Sequence, residues 1–201
     1  MDARELLLEE HSAVHSAAVG GNKASLAERT FGGLTDDQMR VRPREDLNSL
    51  AWIMWHIARA EDIMTNVIVS GRNQVLDEGW ASRLKVSRPD FGIGMKMAEV
   101  ASLSSAIDVA ALKDYRDAVG RRSREILGAY GPSDWEGEVE AAAVERAGAL
   151  GCFGERRDAL VKGMTGRPRR AVLSGILIMH SASHLGEGAT IRAAGGFGTG
   201  I

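Results

Sequence analysis

The sequence predicts an all-α protein: a bundle of four main helices with extra short helices and long connections. Three observations carry that expectation. Apolar residues recur at a spacing of three to four over long stretches, the signature of helices with a buried face. Glycine and proline punctuate the ends of those stretches rather than their interiors. No run of alternating β-branched residues lies between turn signals, so no substantial sheet is expected. The chain of 201 residues is long enough to bury one sizeable core, and a single bundle domain over 1–201 is the expected organisation.

Residues 3–19 are rich in Ala, Leu and Glu and free of proline, predicting a first helix that Gly20 and Gly21 stop. A shorter helical piece follows to Arg29. GGLTDDQMRVRP reads as a loop with one helical turn, Thr35 capping it ahead of two acids and Pro43 enforcing an irregular stretch beyond. Asn48 or Ser49 then caps the strongest helix, with apolar residues at Leu50, Ile53, Met54, Ile57, Ala60, Met64, Val67 and Ile68. Residues 71–107 carry Gly71, Gly79, Pro89, Gly92 and Gly94, so they read as a long connection, a lid or partner-facing surface, bearing Trp80 and Phe91. Asp108 caps a third helix from Val109 to about Tyr130, ended by Gly131 and Pro132. Within the connection 131–167 a weaker helical piece is expected from Glu138 to Val161. Pro168 opens the last helix, which runs through Leu173, Leu177, Ile178 and Ile191 to Ala194, Gly195 and Gly196.

A formal net charge of -2 gives no electrostatic footprint for phosphate backbones or anionic membranes, so neither nucleic acid nor a membrane is expected as a partner. Arginine clusters at 121, 122 and 124, at 156 and 157, and at 167, 169 and 170 alternate with acids and read as solvated helix faces. Cys152 is the only cysteine, which excludes an internal disulfide and Cys-rich metal sites and fits a reducing cytoplasm. Acids near the N-terminus and the absence of a long apolar run argue against a signal peptide or a membrane span.

Five histidines occur, at positions 11, 15, 56, 180 and 184. His180 and His184 are four apart, so on a helix their rings sit one above the other and can converge. Their stripe continues to Glu187 and is flanked by Leu173, Leu177 and Ile191, so it is expected to face inward and bury the imidazoles beside a carboxylate. Burial without partners costs several kcal/mol, which calls for an ion or a hydrogen-bond network. His56 lies on the stripe Ser49, Ile53, His56, Ala60, Ile63, Val67. If the second and fourth helices are neighbours, three neutral imidazoles face one another, the donor set of a catalytic zinc or similar divalent site with one position open. Spacing alone leaves hydrogen-bonded core histidines as the alternative. His11 and His15 share the spacing, but Glu9, Glu10, Ser12 and Ser16 around them point to a partly exposed face without a ligand role. HSASH lacks the acid of HExxH, which disfavours a metalloprotease of that type.

The stretch NSLAWIMWHIARAEDIM resembles the second helix of the DinB/YfiT-like superfamily, where a histidine in an apolar, tryptophan-containing setting is followed by an acid. ILIMHSASHLGEGATIR resembles the last helix of that family: a histidine, three residues, a second histidine, then a residue, glycine and an acid or amide. GGLTDDQMRVRP is similar to the link from its first helix to its second. The resemblance implies an up-down-down-up four-helix bundle with a long crossover, often dimeric, and maps a metal triad onto His56, His180 and His184. This chain departs from the pattern in the length of segments 71–107 and 131–167. It also carries Ser183 where members often have a histidine, which removes a spare imidazole as general base.

The activity implied by the resemblance is that of a metal-dependent enzyme of transferase or isomerase type using a low-molecular-weight thiol as cosubstrate. The ion is expected to be divalent, zinc first, with nickel or iron as alternatives. His56, His180 and His184 serve as ligands only, and Glu187 orients a ligand imidazole. The alternatives are a metal-stabilised binding or structural protein without turnover, its fourth position closed by Glu187 or another side chain, and a helical interaction module with core histidines. Expected partners are a small-molecule substrate, with that thiol as the candidate, and a second copy of the chain. Trp52 and Trp55 are candidates to line a pocket, with at least one of them in the core or a dimer interface. Cys152, set among glycines, is not expected to be a nucleophile, and the tail GGFGTG follows a helix rather than a strand, so it is no dinucleotide loop.

Overall fold

The computed structural model describes residues 2–199, which are helical throughout apart from turns and one isolated antiparallel bridge between Glu138 and Pro168. The first helix is α1 (Ala3–Val14), capped by Asp2 and followed by a short α2 (Ala17–Gly20). The single helix expected over 3–19 therefore breaks at His15, whose backbone is extended. The amide of Ser16 donates to the Nδ1 of His15, an alternative to the helical ladder of the kind polar side chains offer at helix ends. Next come α3 (Leu26–Phe31), capped by Ser25, and α4 (Asp36–Arg40), where Thr35 and Gln38 form a reciprocal capping box.

The central helix begins at Ser49, whose hydroxyl accepts from the Trp52 amide. It runs as α5 (Leu50–Glu61) and continues without a break as a π-helix over Asp62–Val69. Every residue of this 50–69 stretch is buried, whereas the apolar spacing predicts burial of one face. The glycine-rich stretch conceals two helices, α6 (Glu78–Leu84), capped by Asp77, and α7 (Met97–Ala106), of which α7 packs against the central helix. The segment 71–107 is therefore a pair of short helices held by loops.

Asp108 caps α8 (Val109–Ala129), and α9 (Pro132–Glu136) follows the glycine and proline that end it. The piece expected over 138–161 is two helices, α10 (Ala141–Ala149) and α11 (Arg157–Met164), parted by a turn with positive φ at Gly151 and Gly154. The last helix starts after Pro168 as α12 (Arg169–Ser174), widens into a π-helix over Gly175–His180, and resumes as α13 (Ser181–Ala194). Beyond it the tail folds back, the Phe197 amide donating to the Arg192 carbonyl at 3.0 Å and its ring packing against the core, and Gly200 and Ile201 lie outside the described residues.

The central helix packs against α8 and α13, α1 lies along α8 and the π segment of the last helix, and α10 and α12 cover the π half of the central helix. The core accordingly has two apolar clusters. One surrounds Ile53, Trp55 and Ile57 with Leu112, Val119 and Leu185; the other surrounds Ile63, Val67 and Ile68 with Phe153, Leu173 and Leu177. The seam between the central and last helices brings positions 56, 180 and 184 together. Not all the arginine clusters are solvated: Arg124 reaches across to α1 and donates to the Leu8 carbonyl at 2.8 Å and the Ser12 hydroxyl at 3.0 Å.

Candidate metal centre

His56 projects from the middle of α5, His180 from the end of the π segment and His184 from the first turn of α13. Their ring centroids are 4.5 to 4.9 Å apart. One ligand-capable nitrogen from each lies within 4.8 Å of the other two. The cluster sits on the rim of the bundle rather than deep within it: His56 is buried, but His180 and His184 are half-buried. Full burial of the stripe, expected from its apolar flanks, does not occur, because the last helix presents this edge to a cleft.

Hydrogen bonds fix two of the three tautomers. The Nδ1 of His56 meets the carbonyl of Phe91; a carbonyl only accepts, so Nδ1 carries the proton and Nε2 keeps a lone pair. The Nδ1 of His184 lies 2.8 Å from Oε2 of Glu187, whose other oxygen accepts from the Asn48 amide at 2.7 Å. That carboxylate–imidazole contact likewise leaves the Nε2 of His184 bare, and it holds the Glu187 carboxyl below the usual range, against the upward push of burial. Burial, reinforced by the neighbouring rings, lowers His56 to about 4 and His180 to about 3. Both rings are neutral at pH 7.

His180 is the unresolved member. Its Nε2 stands 3.0 Å from the Nε2 of His56, and its Nδ1 is buried without a hydrogen-bond partner. With the proton on Nδ1, two lone pairs face each other at that distance. With the proton on Nε2, the desolvated Nδ1 lone pair has no donor. A cation between the two Nε2 atoms removes the lone-pair repulsion of the first tautomer, the buried Nδ1–H still lacking an acceptor. A tetrahedral ion with bonds of about 2.0–2.1 Å spaces its nitrogens by about 3.3 Å, close to the 3.0 Å between His56 and His180, with a nitrogen of His184 within 4.8 Å of both. The donor set therefore fits a divalent ion.

The cleft outside the cluster has a volume of about 560 Å³. Trp52 lines it, stacked on His56 with the rings 4.8 Å apart and 7° from parallel. Trp55 is not part of this lining; it is buried in the core. The far walls come from Phe91 to Met97 and from Leu160 and Met164 of α11, so both long connections meet over the site. The residues that sequence reasoning passes over are Asn48, which it sees only as a helix cap, and the Phe91 carbonyl, which leaves no trace in a side-chain pattern.

A second cluster was not anticipated. His11 and His15 are fully buried, against the expectation of an exposed face, and meet Glu61 of α5. The Nε2 of His11 lies 3.2 Å and that of His15 4.0 Å from the Glu61 oxygens. Their stripe on α1 includes the buried Leu7, a signal that the surrounding acids and serines obscured. Gly120 of α8 gives the ring of His15 its space, since a Cβ there would stand 2.4 Å from Nε2. Because His15 accepts the Ser16 amide at Nδ1, its proton sits on Nε2, facing the carboxylate. Burial and then the charge of Arg116 push His15 well below the ordinary histidine value. Glu61 stays ionised despite its burial, through His11 and Arg116. His11 and Glu61 tie α1 to α5 through one hydrogen bond, the Nδ1 of His11 and the Nε2 of His15 are buried without a hydrogen-bond partner, and the three side chains form a second group whose ligand atoms lie within 4.8 Å of one another. Cys152 is buried, which pushes its thiol up and away from thiolate chemistry.

Fold and site together define a helical bundle with a three-histidine cluster open to a cleft. A family model of the DinB superfamily matches residues 23–187, and the chain belongs to that superfamily. The match takes in His56, His180, His184 and Glu187 and excludes His11 and His15. The comparison with curated proteins returned no match. Among the described residues no helix is long and apolar enough to cross a membrane.

Proposed function

We propose that the protein is a divalent-metal-dependent enzyme of transferase or isomerase type that uses a low-molecular-weight thiol. The observation that carries this reading is the convergence of three imidazoles, two of which turn Nδ1 to an acceptor. His56, His180 and His184 would hold the ion through Nε2, zinc being the first expectation from the nitrogen donor set. A divalent ion there supplies a Lewis acid that favours the thiolate of a bound thiol at neutral pH. Glu187 and Asn48 keep His184 in its tautomer, the Phe91 carbonyl does the same for His56, and Trp52 holds the face of that ring.

The alternative of a closed structural site needs a fourth protein ligand. Glu187, the residue placed to supply it, is turned to the Nδ1 side of His184 and held there by Asn48, which favours the open site. The test is metal analysis of untagged protein followed by assay of thiol transfer to electrophiles. About one ion per chain is expected, falling at least about ten-fold in the His56→Ala, His180→Ala and His184→Ala variants. A metal-free protein whose triple alanine variant folds equally well overturns the proposal.

A further inference from the structure

The cleft over the histidines has an unusual charge balance for a site that handles polar cosubstrates. None of its lining residues is Asp, Glu, Lys or Arg. Its walls are instead Trp52, Met64, Met95, Met97, Met164 and Ile176. Four methionines from three segments give a polarizable, conformationally adaptable surface that fits apolar ligands of varied shape. The indole N–H of Trp52 is turned to the sulfur of Met95 at 3.3 Å, and the side-chain amide of Asn48 is committed to Glu187.

The charged groups nearby do not correct this balance. Arg42 touches the sulfur of Met97 at an exposed position, but it also donates to the carbonyls of Leu47 and Glu45. Arg88 is paired with Asp90 and Glu99. Glu187, behind His184, is anionic. A ligand whose body carries carboxylates would, away from the ion, lose their hydration among the methionines without gaining a side-chain cation from the lining. An uncharged aryl or alkyl body loses nothing and gains apolar contact.

Resting on the metal-dependent reading, we propose that this site takes an uncharged, apolar aryl or alkyl substrate. Its one polar head lies at the three histidines and its body among the methionines. Carboxylate-bearing thiols are selected against.

The experiment uses displacement of a neutral fluorescent probe, N-phenyl-1-naphthylamine, from metal-free and zinc-loaded protein, with benzyl mercaptan and glutathione as competitors. The probe is expected to bind both forms. Benzyl mercaptan should displace it from the zinc form at a concentration at least about ten-fold lower than glutathione, about 1.4 kcal/mol of discrimination. Met164 and Leu160 lie one turn apart on α11 and are half-buried, so Met164→Arg and the milder Leu160→Ala should keep the circular dichroism of the parent. Met164→Arg should weaken the probe at least about five-fold and narrow the preference between the two thiols, and Leu160→Ala should weaken the probe alone. Equal displacement by both thiols, or probe binding indifferent to both variants, overturns the proposal. If the protein takes no zinc while Met164→Arg still abolishes probe binding, the apolar selection stands and the metal-dependent reading fails.

Discussion

At the scale of single residues the site depends on contacts that orient rings rather than on the rings alone. Glu187 meets the far nitrogen of His184 and accepts from Asn48, so Glu187→Ala should leave the fold intact and weaken metal binding by about 10–100-fold, read by competition with a chromophoric chelator. Unchanged affinity would remove Glu187 as a positioning residue. His15 gives a prediction of different kind. Its pKa lies well below the ordinary 6.5, so at pH below that value the unfolded chain takes up a proton that the folded chain refuses. Stability is then fully present above pH 6.5 and lost as the pH falls beneath it. At its steepest the loss is about 1.4 kcal/mol per pH unit for one proton. Urea titrations from pH 7 to pH 5 should show it, and the slope should drop by about one proton in His15→Gln.

At the scale of elements, the connection after the central helix is tied down by a fully buried ion pair. Asp62 accepts from Arg59 at 2.9 Å and from the Tyr115 hydroxyl at 2.6 Å, and it also caps the amides of Val75 and Leu76. Arg59 in turn donates to Gln74 and to the Pro89 carbonyl. This network places the loop that carries the Phe91 carbonyl to His56. Removing one partner strands the other charge, so Asp62→Ala should cost about 3–5 kcal/mol, with faster hydrogen exchange at the Val75 and Leu76 amides. Gly92 completes the loop at φ +87°, where an added Cβ would stand 2.8 Å from the Trp55 ring. Gly92→Ala should therefore lose about 1–3 kcal/mol and loosen metal binding through His56, measured by denaturation and chelator competition. Preserved stability and affinity would show that the loop is not held at this point.

At the scale of the whole molecule, an ion joining the central and last helices binds the folded chain and not the unfolded one. Zinc at 100 times its dissociation constant should add about 2.7 kcal/mol and raise Tm by about 5–11 °C, reversed by a chelator; no shift would mean that the three rings hold no ion. The architecture was legible in the sequence because the long helices advertise themselves. Ser49, Thr35 and Asp108 cap where their chemistry says they should, and Gly131 with Pro132 ends α8. His56, His180 and His184 were legible through their helix contexts. What stayed hidden depends on tertiary packing. The glycines of 71–94 outweighed the cap at Asp77, so α6 passed for loop, and the polar neighbours of His11 and His15 masked the buried stripe behind them. The approach of both long connections to the histidines is a fact of three-dimensional closure that no local pattern encodes.

Both helices that bear the histidines widen into π-helix, over Asp62–Val69 and Gly175–His180. A π turn accommodates an extra residue in an α-helix while leaving the flanking faces in place, and such turns concentrate at functional sites. The second of these segments ends on His180 itself, so the histidine pair sits where the helix is wider than a regular α-helix. Met179, exposed within the second of these segments, is the natural place for a reversion: its deletion should restore regular helix and leave a folded protein. The same deletion in α8 would turn half of that helix by about 100°.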